Sequence, residues 1–276
     1  MSQDKCSKQE IISKIINSGA LEIRNVDNGQ DPFVYSTGNR GPGYIMIKGL
    51  VGQPSIMRFL CRQLAFKVID EAEFDFIEGN ATGGMIPAWE LNNQVCDILK
   101  KEIPYCYLRV SRKEGGHDEL ITGDRNNPLI KKGMKALVVE ELVNYAGTTG
   151  NAAVAFRKEG YLVSHGACIL SYHHKESLNR LKEKEVTLVP LITLPELLEI
   201  SAAENLLDQS TVTSYQEFLV DPIKWQLSRN LVIPEESALK AIKQGTKMIK
   251  LDTKEALDLG APAAKVNHDM IYYKKA

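Results

Sequence analysis

Short, continuous apolar runs alternate with stretches of helical spacing along most of this chain, and no other feature narrows its fold so far. The expected strands are Tyr44–Lys48, Phe74–Ile77, Tyr105–Val110, Ala136–Val139, Gly166–Ser171 and Thr187–Leu191. Between them fall amphipathic segments. Ser55–Glu71 carries Met57, Leu60, Leu64, Val68 and Ile69 in helical register, and Met85–Leu99, Asn151–Gly160, Lys175–Glu183 and Leu194–Glu204 follow. Nearer the start, Ile11, Ile12, Ile15 and Ile16 mark a helix over Gln9–Asn17, stopped by Gly19, and Leu21–Tyr35 reads as a short strand pair. Strands recurring roughly every 25–35 residues with helices between them are the signature of a mostly parallel sheet covered on both faces. The fold class is therefore α/β. Past about Leu207 the alternation stops. Residues 208–276 are helical in places (Ser237–Gln244, Thr253–Leu259), lack a glycine-rich strand-end loop, and read as an accessory region.

The stretch Lys135–Gly150 concentrates the chemistry. Ala136-Leu-Val-Val139 is an unbroken apolar run, as expected of a strand buried on both faces. Glu140 and Glu141 stand where it would emerge, and Asn144–Gly150 is a loop of small and hydroxyl residues feeding the next helix. A second strand-end loop, Glu78-Gly-Asn-Ala-Thr-Gly-Gly84, has the same character. Tight turns with several free N–H groups make concave anion sites, glycine lets the backbone approach a phosphate, and Thr148 and Thr149 can add hydroxyl donors. Acids at such a mouth would repel a phosphate. Glu140 and Glu141 fit better as acceptors for ribose hydroxyls or as indirect, outer ligands of a magnesium ion. Lys48, Arg109, Arg112 and Lys113 are placed to neutralise a pyrophosphate, and His117 is a candidate acid or base in a polar loop. Each piece alone has an ordinary reading, as a tight turn, a solvated acid pair or a surface charge run. What favours function is that all of them fall at the C-terminal strand ends of one sheet. His173 and His174 are adjacent, so their rings diverge on a strand and a metal pair is not expected.

Composition excludes several classes. The 34 basic and 35 acidic residues nearly cancel, which argues against a nucleic-acid surface. Cys6, Cys61, Cys96, Cys106 and Cys168 are scattered, so neither a disulfide framework nor a zinc site is expected and a reducing cytoplasm is the natural setting. No signal-peptide core and no apolar run of membrane-spanning length is present. The expectation is a soluble cytoplasmic protein.

Taken together, these residues resemble the orotate phosphoribosyltransferases, within the type I phosphoribosyltransferases, over roughly residues 9–205. The ribose-phosphate motif of that family, an apolar strand, two acids, two apolar residues and a Thr/Gly/Ser loop, is similar to Leu137-Val-Val-Glu-Glu-Leu-Val-Asn-Tyr-Ala-Gly-Thr-Thr149. Its Phe…Ser-Gly…Pro-x-Tyr stretch resembles Phe33-Val-Tyr-Ser-Thr-Gly-Asn-Arg-Gly-Pro-Gly-Tyr44, and its pyrophosphate loop resembles Gly79-Asn-Ala-Thr-Gly-Gly84. Ala152–Val163 and Leu191-Ile-Thr-Leu-Pro-Glu-Leu-Leu198 look like the same family.

The resemblance implies a type I phosphoribosyltransferase-like sheet flanked by helices over residues 1–207. It also implies a small hood mainly from 19–48, a homodimer, Mg²⁺, and 5-phosphoribosyl 1-pyrophosphate as donor with orotate as the default base, hence pyrimidine nucleotide synthesis. By position, Glu140 and Glu141 would hold the ribose hydroxyls, and Asn144, Tyr145, Ala146, Gly147, Thr148 and Thr149 the 5-phosphate. Ala81, Thr82, Gly83 and Gly84 would meet the pyrophosphate beside Arg109. The mobile catalytic loop falls on Arg112–Gly123, with Lys113 in place of the loop lysine.

The sequence departs from the family pattern at defined places. The acid pair usually ends in Asp and here ends in Glu141. Asn144-Tyr145-Ala146 replaces Thr-Thr-Gly or Ser-Thr-Gly, and the loop histidine falls on Gly115, with His117 two places later. Ser36 stands for a lysine, Val110 for a basic residue, and His173 for the arginine that clasps orotate. Transfer to another nucleobase, or a non-catalytic nucleotide-sensing role, therefore stays open beside the orotate reading. For an enzyme of this kind, Lys113→Ala should lower turnover far more than donor binding. Steady-state kinetics beside direct donor titration checks this, and equal losses in both would refute a transition-state role for Lys113.

Overall fold

The computed structural model describes residues 5–111, 119–125, 127–266 and 268–276. In chain order the first elements are α1 (Lys8–Asn17), β1 (Leu21–Ile23), β2 (Phe33–Val34), β3 (Arg40–Gly41), β4 (Gly43–Ile45) and α2 (Pro54–Glu71). Next come β5 (Phe76–Asn80), α3 (Met85–Leu99), β6 (Tyr105–Leu108), β7 (Ile121–Thr122), β8 (Lys135–Val143), α4 (Gly147–Lys158), β9 (Leu162–Ser171), α5 (Lys175–Glu183), β10 (Thr187–Thr193) and α6 (Leu194–Ala203). The tail adds α7 (Gln209–Val220), α8 (Pro222–Ser228), β11 (Ile233–Pro234), α9 (Glu235–Lys243), β12 (Met248–Lys250), α10 (Thr253–Asp258), α11 (Ala263–Val266) and β13 (Tyr272–Lys275). No helix among the described residues is long and apolar enough to cross a membrane.

Among the described residues the chain divides into two compact units, and the division does not follow its linear order. The first comprises residues 1–20 and 46–200, the second residues 21–45 and 201–276. The first unit is built on a six-stranded sheet in the order β10-β9-β8-β5-β6-β7, parallel except for the antiparallel β6–β7 pair. Ala136, Leu137, Val138 and Val139 are all essentially without solvent exposure, because helices cover both faces of β8. On the α4 side, Ala152, Ala153 and Phe156 pack over Phe76, Val138 and Cys168. Phe76, Phe156 and Tyr161 form a triangle of rings with centroids 5.3–6.1 Å apart. Helix α1 begins with a reciprocal cap between Ser7 and Glu10, which satisfies two N–H groups that the first turn would leave open.

Several sequence expectations shift once pairing partners are fixed. Leu21–Tyr35 is not a strand pair: β1 pairs with β4 and β2 with β3, so each half finds its partner beyond the turn. The strand expected over Tyr44–Lys48 stops at Ile45 and gives way to a 3₁₀ segment, Ile47–Gly52. The strand expected at Phe74–Ile77 is β5, displaced toward Glu78 and Asn80, because its ladder with β8 starts at Phe76 and Ala136. Strand β8 runs on through both acids to Val143, held there by β9, and α4 starts at Gly147 rather than Asn151. Within the polar segment Ser111–Lys132 a short strand, β7, pairs with β6. Arg112, Lys113 and His117 lie outside the described residues.

In the second unit, residues 21–45 pack with the tail. The three-stranded sheet β11-β13-β12 is antiparallel throughout. A side chain at Gly43 would collide with the buried ring of Tyr215 on α7, so glycine is what lets this strand approach that helix. Arg229 holds Asp27 in a two-pronged ion pair (Nε–Oδ1 2.8 Å, Nη2–Oδ2 2.7 Å) and also reaches Glu217. That hydrogen bond draws the Asp27 carboxyl below its ordinary value, against the opposing effect of burial. Asp27 is about half exposed, so the pair is worth on the order of 1 kcal/mol. Arg229→Ala should therefore cost about 1 kcal/mol and speed proteolytic cleavage within residues 21–45. Chemical denaturation and limited proteolysis read the two effects, and an unchanged cleavage rate would show that the segment does not depend on the tail.

Candidate active site

The site follows from where the sheet changes direction. From β5 the chain crosses through α3 to β6 on one side, while β8 lies on the other side and leads through α4 to β9. The loops leaving β5 and β8 therefore splay apart and open a crevice at the carboxyl ends of adjacent strands, where ligands of open α/β sheets bind. The turn 81–84 and the loop 144–146 form its two walls.

Adjacent residues on a strand point to opposite faces, so the two acids diverge. Glu140 turns to the α4 face and is buried, with Asn80 Nδ2 donating to its Oε1 at 2.9 Å. Burial, and then the charge of Glu141, push its carboxyl up to about 8, and the Asn80 hydrogen bond opposes them. The carboxylate of Glu141 lies against Gly83, so closely that a β-carbon there would overlap it. Burial raises Glu141 too, while its own amide and the positive charge of Lys48 hold it down. Lys48 Nζ donates to Thr82 Oγ1 at 3.0 Å. Gly84 is pinned in turn, since a side chain there would strike the carbonyl of Val139. The Ala81–Thr82 peptide is cis.

Arg109 follows β6 beside this turn. Its backbone amide donates to Leu120 O at 2.9 Å, and Ala81 N donates to Leu108 O at 3.0 Å. The Nε of Arg109 is buried without a hydrogen-bond partner. A buried Nε–H without a partner is an unsatisfied donor in the residue that follows β6.

On the other wall, Ala146 takes the left-handed conformation (φ 57°) and serves as N-cap of α4 without a side-chain cap bond. Gly150 N donates to Ala146 O at 3.0 Å, closing the first turn of the helix. The amides of Gly147, Thr148 and Thr149 thus form the open first turn of a twelve-residue helix, at its positive end. Thr148 is exposed, whereas Thr149 is buried with its methyl toward Gly166. Tyr145 turns its ring onto His174 (centroids 5.2 Å, interplanar 18°), which stacks in turn on Tyr172 (5.4 Å, 30°). Its carbonyl accepts from Arg180 Nη1 at 3.1 Å.

Lys48, Ala81–Gly84, Arg109, Glu140, Glu141 and Asn144–Thr149 all belong to the first unit and to the carboxyl ends of β5, β6 and β8 or the segments facing them. Two residues were missed at the sequence level. Asn80, which orients Glu140, and Glu78, two places earlier on the same face, were read as loop. Glu78 is wholly buried, no side chain hydrogen-bonds to either carboxylate oxygen, and only the backbone of Leu108 opposes the effect of burial. Burial first, and the charge of Glu140 second, push its carboxyl well above the ordinary range. An acid and an amide at alternate positions in an apolar strand was the available signal. No group of three or more His, Cys, Asp or Glu that could hold a metal occurs among the described residues.

Comparison with known proteins gives a consistent family. No family model matches the chain. The orotate phosphoribosyltransferase of Listeria monocytogenes is 31% identical over 218 residues, which cover 78% of this chain and 98% of that one. That of Enterococcus faecalis is 30% identical over the same length and coverage, and that of Cereibacter sphaeroides 29% identical over 231 residues, 83% of this chain and 96% of that one. Among solved structures, the orotate phosphoribosyltransferase of Aeropyrum pernix matches with TM-score 0.51 and 25% identity over 68% of this chain and 97% of that one. The Francisella tularensis enzyme matches in fold with TM-score 0.60 and 12% identity over 78% and 95%. Leishmania donovani UMP synthase matches with TM-score 0.61 and 22% identity, and there the chain spans 43% of the other protein.

Glu78 makes a direct test of the buried carboxyl cluster. Its folded pKa lies above the ordinary 4.5, so its contribution to stability is fully present below pH 4.5 and is lost as pH rises toward the folded value. Replacing it with an apolar side chain of similar length removes an unsatisfied buried acid. Glu78→Met should stabilise the protein by about 1–3 kcal/mol at neutral pH, with a smaller gain near pH 4.5, where the acid is neutral in the folded state and only its buried polarity remains to be removed. Denaturation curves across pH 4–8 test this, and a gain independent of pH would contradict it.

Proposed function

The chain belongs to the orotate phosphoribosyltransferase family, and from that premise we propose that it transfers the 5-phosphoribosyl group of phosphoribosyl pyrophosphate to orotate with release of pyrophosphate. The observation that carries this reading is the pair of anion-suited walls on either side of Glu140. One is the turn 81–84 with the open Nε of Arg109, and the other is the uncapped first turn of α4. A sugar bearing a diphosphate at one end and a phosphate at the other needs two such sites with a hydroxyl acceptor between them.

The residues act by holding rather than by attacking. The bond from the anomeric carbon to the diphosphate oxygen breaks, and its electron pair leaves with pyrophosphate. The acceptor nitrogen forms the new bond and gives up its proton. The sugar passes through an oxocarbenium-like state, as in glycoside cleavage. Arg109, Lys48 and the turn amides would stabilise the departing charge, and the amides of Gly147–Thr149 would anchor the phosphate so that the anomeric carbon is presented in line. Glu140, aligned by Asn80, would accept from a ribose hydroxyl. Magnesium, bound with the donor, supplies additional positive charge to the leaving group. Two diverging carboxylates without a third suit contact through its water shell rather than a protein cage. Lys113 keeps the loop-lysine role carried over by resemblance, Arg112 its place in that loop, and His117 its candidacy as an acid or base. A homodimer and a cytoplasmic location belong to the same reading.

Two departures favour a non-catalytic relative: the displaced loop histidine, and Tyr145, which is bulky for a phosphate cradle. Its ring lies on His174, which weakens that objection. The decisive measurement is pyrophosphate release from phosphoribosyl pyrophosphate and Mg²⁺ with a panel of bases. Release with orotate alone is expected. Release with a different base would redirect the acceptor assignment, and saturable nucleotide binding without turnover would overturn the enzyme.

A further inference from the structure

Helix α4 meets the crevice by its amino end, and a cation from a different helix reaches that end. Arg180, on α5, donates from Nη1 to the carbonyl of Tyr145 at 3.1 Å. The same nitrogen lies 3.5 Å from where a β-carbon on Gly147 would stand, so the guanidinium sits beside the first residue of α4. The fold builds this placement. Tyr172 N donates to Val143 O at 2.9 Å, and the ring of Tyr145 lies on His174, the residue before α5. Helix α5 therefore starts alongside the loop 144–146, and its second turn carries Arg180 to the α4 amides. Nη2 of Arg180 is paired with Glu176 at 3.1 Å, but the two side chains are 40% and 64% exposed, so the pair holds the arginine loosely.

We propose that Arg180 is a binding residue for the 5-phosphate of the donor, supplying the full positive charge that the loop 144–149 itself lacks. Asn144-Tyr-Ala-Gly-Thr-Thr149 carries no ionised side chain, and the amides of a helix end offer only partial charge. A guanidinium adds charge-assisted hydrogen bonds, which are roughly twice as strong as neutral ones. Of its five N–H donors, one goes to the Tyr145 carbonyl and one to Glu176, which leaves three for phosphate oxygens without releasing the loop. A phosphate arriving there competes with Glu176 for the same cation. The inference rests on the function proposed above and deepens it, by naming a side chain that reads the phosphate end of the sugar.

Calorimetric titration of the full chain with ribose 5-phosphate tests this, because that probe carries the phosphate end without diphosphate or base. Three variants separate charge from loop support. Arg180→Gln keeps an N–H for the Tyr145 carbonyl and loses the charge, Arg180→Lys keeps the charge, and Glu176→Gln removes the competing carboxylate. Arg180→Gln should weaken binding about tenfold and flatten its dependence on salt. Arg180→Lys should stay within about threefold of wild type, and Glu176→Gln should tighten binding by about twofold to threefold. Binding of inorganic pyrophosphate with Mg²⁺ should stay within about twofold in all three, since it belongs to the other wall. Unchanged affinity in Arg180→Gln, equal losses in the Gln and Lys variants, or an equal loss for pyrophosphate would overturn the proposal. If Arg180→Gln does not fold, Glu176→Gln decides: tighter binding supports the contact, and unchanged or weaker binding refutes it. A wild-type protein that binds ribose 5-phosphate through Arg180 but makes no nucleotide from orotate would sink the proposed function and leave the phosphate contact standing.

Discussion

Strand β8 stays extended through Glu140 and Glu141, and the site depends on that one constraint. Had the strand ended at Val139, the two acids would enter a loop and could turn the same way. Because β9 continues to pair alongside as far as Val143 and Ser171, they cannot. One carboxylate is pressed to the α4 face, where Asn80 meets it, and the other to the face of the turn 81–84. The short, rigid geometry of a parallel ladder thus sends two chemically similar side chains to opposite faces of the sheet.

Charge at the crevice is arranged so that the free protein is incomplete. Glu78 and Glu140 are both pushed toward the neutral form by burial, and among the described residues neither is ion-paired to a lysine or arginine. Arg109 meanwhile keeps a buried donor unsatisfied. Leaving groups unpaired in this way costs stability, typically about 1–3 kcal/mol each. Under the proposed function, a ligand bringing anions to Arg109 and hydroxyl donors to Glu140 would relieve part of that cost on binding.

Much of this was legible in the sequence, and the reasons are specific. The unbroken run Ala136–Val139 marked a strand covered on both faces, and the Gly/Thr loop after it marked a helix N-terminus facing a ligand. Helices α2, α3 and α5 announced themselves by periodicity and fell within a residue of their expected bounds. What was not legible depended on partners distant in sequence. That β1 joins β4 rather than β2 is decided by pairing across a turn, and that residues 21–45 join the tail is decided by contacts such as Arg229 with Asp27, about 200 positions apart. The orphaned burial of Glu78 is invisible in composition, because a glutamate near a strand end is usually solvated.

The loop Asn144-Tyr145-Ala146 shows how a departure from a motif can be absorbed. An alanine in the left-handed region costs about 1–2 kcal/mol that glycine would not, so the turn needs outside support to hold the α4 amides open. Two contacts on Tyr145 provide it. Arg180, itself steadied by Glu176 one helical turn earlier, donates to the Tyr145 carbonyl, and the ring lies on His174 with Tyr172 behind. A stacked ring pair and a hydrogen bond from a half-exposed arginine together contribute about 1–2 kcal/mol, of the same order as the strain. The bulk that makes tyrosine look wrong for a phosphate cradle is what carries its ring out to residues 172–174 beyond β9, and the first-turn N–H groups of α4 are ones that no side-chain substitution at 145 removes.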